Sequence, residues 1–211
     1  VTTLGALPAV AAPPPTQHEP SRKYLFVTGF PFPLGPITER RTVKSELVKG
    51  KVYGFVQELR LSGITANSRC TVFRTANNDL IVYDPVAPTD EFLQQLASLN
   101  GKVTHILLGA TTYEHKAFVG PFSRKFPSAK VWAVPDQWAW PLDLAPKTLG
   151  IDVKRNGGGD LVDSASVAST YPSDFREEFE VKLLRPAQRL GLGYAASEAA
   201  VFHKPTKTLA L

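Results

Sequence analysis

Val103-Thr104-His105-Ile106-Leu107-Leu108-Gly109-Ala110-Thr111-Thr112-Tyr113-Glu114-His115 is the stretch whose reading decides the fold. Its first half is apolar and β-rich, which predicts a buried strand over 102–108, and its second half turns polar at once. Upstream, residues 69–75 (RCTVFRT) and 79–84 (DLIVYD) read as strands joined at Ala76-Asn77-Asn78. Asparagine tolerates positive φ, so this junction predicts a hairpin. Pro85 and Pro88 then break the sheet. Thr89 can cap a helix whose first turn holds Asp90 and Glu91, while Phe92, Leu93, Leu96 and Leu99 recur at helical spacing as far as Asn100-Gly101. Downstream, residues 113–126 predict a helix, or a helix plus loop, interrupted at Gly120-Pro121, and residues 129–134 (AKVWAV) another strand. Helices alternating with strands over short connections predict an α/β sheet with parallel neighbours.

Farther out, residues 24–27 and 52–60 read as strands around a Pro/Gly-rich loop at 29–36. Residues 136–149 form a Trp/Pro-rich crossing, and 154–164 a flexible loop. Its Gly157-Gly158-Gly159 lacks the strand, helix and Lys-Ser/Thr that a phosphate loop requires. Residues 179–185 and 200–211 are expected to be strands in the second half of a layered sandwich.

The 211 residues suit one domain with an arm. Hydrophobic residues make up 43% and charged residues 20%, a globular profile. No run approaches the roughly 18 apolar residues of a membrane span. The net charge of +5 is spread along the chain, without the concentrated basic face that nucleic acid requires. The single cysteine, Cys70, excludes an intrachain disulfide and a cysteine-based zinc site, and lies in an apolar run as a small buried hydrophobe. The chain starts at Val1 and lacks Met, and Thr208-Leu209-Ala210-Leu211 starts a strand with nothing after it, so a piece of a longer protein is expected.

Residues 1–23 read as an extended Pro/Ala-rich arm, and 24–211 as the domain. Ala9-Val10-Ala11-Ala12 has the small residues of a processing site or of a plain linker. An arm of this composition is ordered only where the domain or a partner holds it, which makes Pro13, Pro14 and Pro15 candidate partner contacts.

The opening stretch resembles metallo-β-lactamase-like hydrolases, in which an apolar strand leads into a His-x-His-x-Asp-His turn. Those side chains hold one or two metal ions, and zinc needs three or four N/O ligands with a position left for water. Against that motif Ala110 stands at the first His, Thr112 at the second, Glu114 at the Asp and His115 at the third His. A later ligand His has no counterpart around Gly191-Leu192-Gly193-Tyr194. Residues 111–144, Asp84-Pro85-Val86-Ala87-Pro88-Thr89 and Phe202-His203-Lys204-Pro205-Thr206-Lys207-Thr208-Leu209 resemble, more specifically, a domain-of-unknown-function family of plants, algae and cyanobacteria. The resemblance implies an αββα sandwich, incomplete at its C-terminal end, and a chloroplast address (stroma, thylakoid surface or lumen). It implies no established reaction.

With two of three imidazoles missing, the expected role is non-catalytic: an accessory or assembly subunit of a plastid complex, with no cofactor, protein partners and peripheral membrane association allowed. Glu114 and His115 are then a vestigial metal site. The alternative is a metal-dependent hydrolase with a rebuilt mononuclear site holding zinc, iron or manganese on Glu114 and His115 with Asp84 or Asp143 nearby. A small-molecule module that kept its pocket is a third reading. His105 is expected as a hydrogen-bonded core residue, His203 as exposed at a turn, and His18 lies in the arm. Trp132, Phe118, Phe122 and Phe126 suit the core. Trp138 and Trp140, among prolines, are candidate partner anchors if exposed.

Overall fold

The computed structural model describes residues 19–24, 38–61, 64–137, 145–166, 171–185 and 196–211. Pro13, Pro14, Pro15, His18, the 29–36 loop, Trp138, Trp140, Asp143 and Gly191–Tyr194 lie outside them.

The elements in chain order begin with β1 (Lys23–Tyr24), β2 (Thr38–Glu39), β3 (Thr42–Val48), β4 (Val52–Leu61), β5 (Ile64–Arg74) and β6 (Asp79–Tyr83). There follow α1 (Asp90–Ala97), β7 (Lys102–Leu108), α2 (Tyr113–Lys116), α3 (Val119–Lys125) and β8 (Lys130–Ala133). Last come β9 (Gly159–Asp160), α4 (Ser173–Glu178), β10 (Phe179–Leu184), β11 (Glu198–His203) and β12 (Thr208–Ala210). Strands β3 to β9 form a 7-stranded sheet in sequence order. It is antiparallel from β3 to β6 and parallel from β6 to β9. Strands β10, β11 and β12 form a second, antiparallel sheet.

Side-chain alternation along the strands builds two cores. Leu80 and Val82 of β6, Cys70 and Val72 of β5, and Val131 and Ala133 of β8 face α1 and α3, packing on Phe92, Leu96 and Phe122. Ile81, Tyr83, Phe73 and Trp132 point the other way, toward Phe175, Phe179, Val181 and Val201 of the second sheet and its entry helix. Each large side chain so buried stabilises by about 1.5–3 kcal/mol. On the outer face of the small sheet Leu184 and Leu209 are exposed. The described residues thus give a helix layer on two sheets.

One irregularity keeps β7 in phase with both cores. Leu80 pairs with Val103 but Ile81 with His105, leaving Thr104 as an extra residue. Val103, Ile106 and Leu108 therefore share the helix side, and Leu107 faces the sandwich.

Helix α1 begins as its residues predict: Thr89 Oγ1 accepts from Phe92 N at 3.1 Å, with Asp90 and Glu91 in the first turn. Asn78 closes the hairpin at φ 64°. Three expectations need correction. Gly120-Pro121 does not interrupt a helix; it lies in the first turn of α3, where an absent proline N–H costs nothing. Gly159 enters the two-residue β9 beside Trp132 rather than a loop. His203 is buried, at 0% exposure, because it alternates with Ala199 and Val201 on the inner face of β11.

Candidate functional site

The turn after β7 sits at the C-terminal ends of the parallel strands, and backbone pairing fixes it. Asp84, at φ 48°, directly follows β6 and donates its own N–H to Leu107 O at 2.8 Å. Aspartate tolerates this left-handed conformation better than a branched residue would. The turn at Asp84 places its carboxylate against the next strand, where Gly109 N–H donates to Oδ1 at 2.7 Å. Its other oxygen, Oδ2, lies 3.4 Å from Nδ1 of His115 on α2. Burial pushes the Asp84 carboxyl up to about 6, against the opposing pull of His115 and the Gly109 N–H. Glu198 and Glu114 push it further in the same direction.

The second sheet seals the other side. Ala199 N–H donates to Gly109 O at 2.7 Å, Ala110 bridges to Glu198, and Thr111 N–H donates to Ser197 O at 3.1 Å. Ser197 N–H returns to Thr111 Oγ1 at 3.1 Å. Below the turn the Tyr83 hydroxyl donates to Ala199 O at 2.9 Å. A Cβ at Gly109 would run into the Tyr83 ring and hydroxyl, so glycine is required there. Ala110 is only 3% exposed, and its carbonyl accepts from Gln137 Nε2 at 2.9 Å.

Of the predicted site residues, Asp84 and His115 are brought together. Glu114 is half-buried on the same short helix and acts on Asp84 through its charge. His105 is buried under Trp132 and Phe175, with Nδ1 3.2 Å from Thr104 Oγ1. Burial and Lys130 depress its imidazole to about 4, against the pull of Asp174. Cys70 is buried, and burial raises its thiol. Glu198, Ser197 and Gln137 are participants that sequence reading missed. Beside the turn opens a cleft of about 430 Å³, lined by Thr111, Thr112, Leu183, Arg185, Ser197 and Glu198 among others.

The donor set of the described residues does not fit a resident metal ion. Ala110 offers no side-chain donor, and Thr112 a neutral hydroxyl. Asp84 Oδ1 accepts from Gly109, and Oδ2 and His115 Nδ1, 3.4 Å apart with the Nδ1 otherwise unpartnered, offer two donors where zinc needs three or four. Among the described residues no three His, Cys, Asp or Glu side chains are grouped so as to hold a metal.

This layered sheet, with its turn at the ends of the parallel strands, has the metallo-β-lactamase fold. A metallo-β-lactamase from Pontibacter korlensis is 13% identical with a TM-score of 0.53, over 80% of this chain and 70% of that one. The metallo-β-lactamase IND-7 is 12% identical with a TM-score of 0.52, over 79% and 67%. The metal-soaked Flv1 flavodiiron core of Synechocystis sp. PCC6803 is 12% identical with a TM-score of 0.51, over 78% of this chain but only 40% of that one. No curated protein matches the sequence. Residues 49–211 match the family described as Domain of unknown function (DUF4336), and the chain belongs to it. No described helix is long and apolar enough to cross a membrane.

Proposed function

We propose that this chain is a non-catalytic member of the metallo-β-lactamase fold that serves as an accessory or assembly subunit of a larger protein complex in the chloroplast. The observation that carries the non-catalytic reading is the state of Ala110. At the position of the first imidazole stands a buried residue without a donor, its backbone tied to Glu198 and Gln137. The neighbouring carboxylate of Asp84 gives Oδ1 to the Gly109 N–H, which leaves Oδ2 and His115 Nδ1 as two donors, one or two short of a zinc site. A domain with packed cores whose described residues group no metal-binding set has its surface left to act with, which favours a binding role. The chloroplast address is supported by the family resemblance and the Ala/Pro-rich arm.

The test joins two measurements on protein purified from its native source. Elemental mass spectrometry is expected to find no stoichiometric zinc, iron or manganese. Size-exclusion of the native extract is expected to place the chain well above its own 23.0 kDa. Near-stoichiometric metal that is lost in His115→Ala would overturn the reading. So would hydrolysis of a thioester, phosphodiester or lactone that is lost in Glu114→Ala.

A further inference from the structure

The 7-stranded sheet ends on one side in β3, and its edge is unlike the other edges among the described residues. β9 has 2 residues and β12 has 3. The outer side of β10 is covered, because Val181 and Leu183 N–H donate to Ser164 Oγ and Asp163 Oδ1. β3 is 7 residues long and exposed from Val43 to Leu47.

Its backbone orientation follows from its first residue. Thr42 N–H donates to Glu91 Oε2 at 2.6 Å, and Thr42 O accepts from Gln95 Nε2 at 3.2 Å, both on α1 and away from β4. In an antiparallel strand alternate residues turn both backbone groups to the same side. Lys44 and Glu46, in unbroken register with Thr42, therefore present N–H and C=O outward. Val43 and Leu47 leave apolar side chains 53% and 49% exposed.

The stretch Thr42-Val43-Lys44-Ser45-Glu46-Leu47-Val48 is complementary to itself when reversed. We propose that β3 pairs with β3 of a second copy, antiparallel, about a two-fold axis at Ser45. Lys44, whose Nζ reaches Ser98 Oγ in its own chain, then faces Glu46 of the other copy, whose Oε1 accepts from its own Gly50 N–H; twice over, opposite charges meet at the residues whose backbone groups turn outward. Val43 faces Leu47 across the intervening non-hydrogen-bonded pairs, where side chains approach most closely. Ser45, on the axis, is small enough to meet its own copy. Other registers of the same parity shift Lys44 away from Glu46 or push one end onto Thr42, whose backbone α1 already occupies. The contact is two-fold and self-closing, and it joins two sheets into one continuous sheet. It is short, bounded by α1 at Thr42 and by the irregularity between Glu46 and Val48, and so forms a weak dimer.

Sedimentation equilibrium of the purified chain across the micromolar range tests this. The wild type is expected to self-associate reversibly to dimers. Lys44→Glu or Glu46→Lys alone sets like charges face to face and is expected to weaken association by roughly tenfold or more. The double exchange Lys44→Glu/Glu46→Lys restores it. Thermal melts of each variant confirm that the monomer remains folded. A wild type that stays monomeric overturns the proposal and leaves this edge to a strand of another protein. A dimer indifferent to the single exchanges, or a double exchange without rescue, also overturns it.

Discussion

Asp84 Oδ2 lies 3.4 Å from His115 Nδ1 while Asp84 Oδ1 accepts from Gly109 N–H, so one buried carboxylate ties the end of β6 to the end of β7 and faces α2. Burial raises this carboxyl from 3.8 to about 6. Between those values the folded chain holds a proton that the unfolded chain has released. The contribution of Asp84 to stability therefore falls as pH rises through that window. Asp84→Asn keeps an acceptor for Gly109 and removes the charge. The variant should gain on the wild type between pH 4 and pH 7 by roughly 2–3 kcal/mol, read from urea unfolding at several pH values. A difference independent of pH would show that the carboxylate ionises normally.

His105 works in the opposite sense. Its imidazole is depressed from 6.5 to about 4, so the unfolded chain takes up a proton first as pH falls. Its contribution is complete above about pH 6.5 and is lost progressively toward pH 4. His203, also lowered by burial, adds to the same slope. Because Asp84 opposes both, the clean comparison is made in the Asp84→Asn background. There, His105→Phe, which keeps a ring beside Trp132 and Phe175, should remove part of the acid sensitivity, on the order of 3 kcal/mol. An unchanged slope of urea midpoint against pH would assign the sensitivity elsewhere.

Gly109→Ala should destabilise by about 1–3 kcal/mol, since the new methyl meets a Tyr83 ring held in the sandwich core. Tyr83→Phe leaves the Ala199 carbonyl without that donor and should cost about 1 kcal/mol. Denaturant midpoints measure both. A tolerated alanine would mean that the two sheets are not clamped at this point.

Thr89→Ala removes the acceptor for Phe92 N–H and should cost about 1 kcal/mol, whereas Thr89→Ser should retain most of the stability. Guanidinium unfolding of the two variants separates loss of the cap from loss of the methyl group. Equal losses in both would point to packing rather than capping.

Much of this fold was legible in the residues because local chemistry and burial agree there. Thr89, Asp90, Phe92 and Leu96 announce α1, and Asn78 announces the hairpin. β3 gives no such signal. Most of its side chains are exposed on both faces, and its strand state comes from pairing with β4. His203 was not legible, since Ala200 and Phe202 on the other face of β11 are as apolar as Ala199 and Val201, and packing of the two sheets decides which face turns inward. At the site, the Asp84-to-His115 proximity could be anticipated from two strand ends lying side by side. The roles of Glu198, Ser197 and Gln137 could not, because they reach the turn from 27 or more residues away through tertiary pairing.

The extra residue at Thr104 bears on how this sequence can drift. Excising Thr104 would leave His105 to Leu108 on their present sides, because the chain would merely regain strict alternation with Val103. Excising a residue between His105 and Leu108 would instead turn part of the strand over, sending side chains fitted to one core into the other. Length variation along β7 should therefore be accepted at its entrance and purged near its exit, so that the turn bearing Ala110 and Thr112 is protected from insertions and deletions.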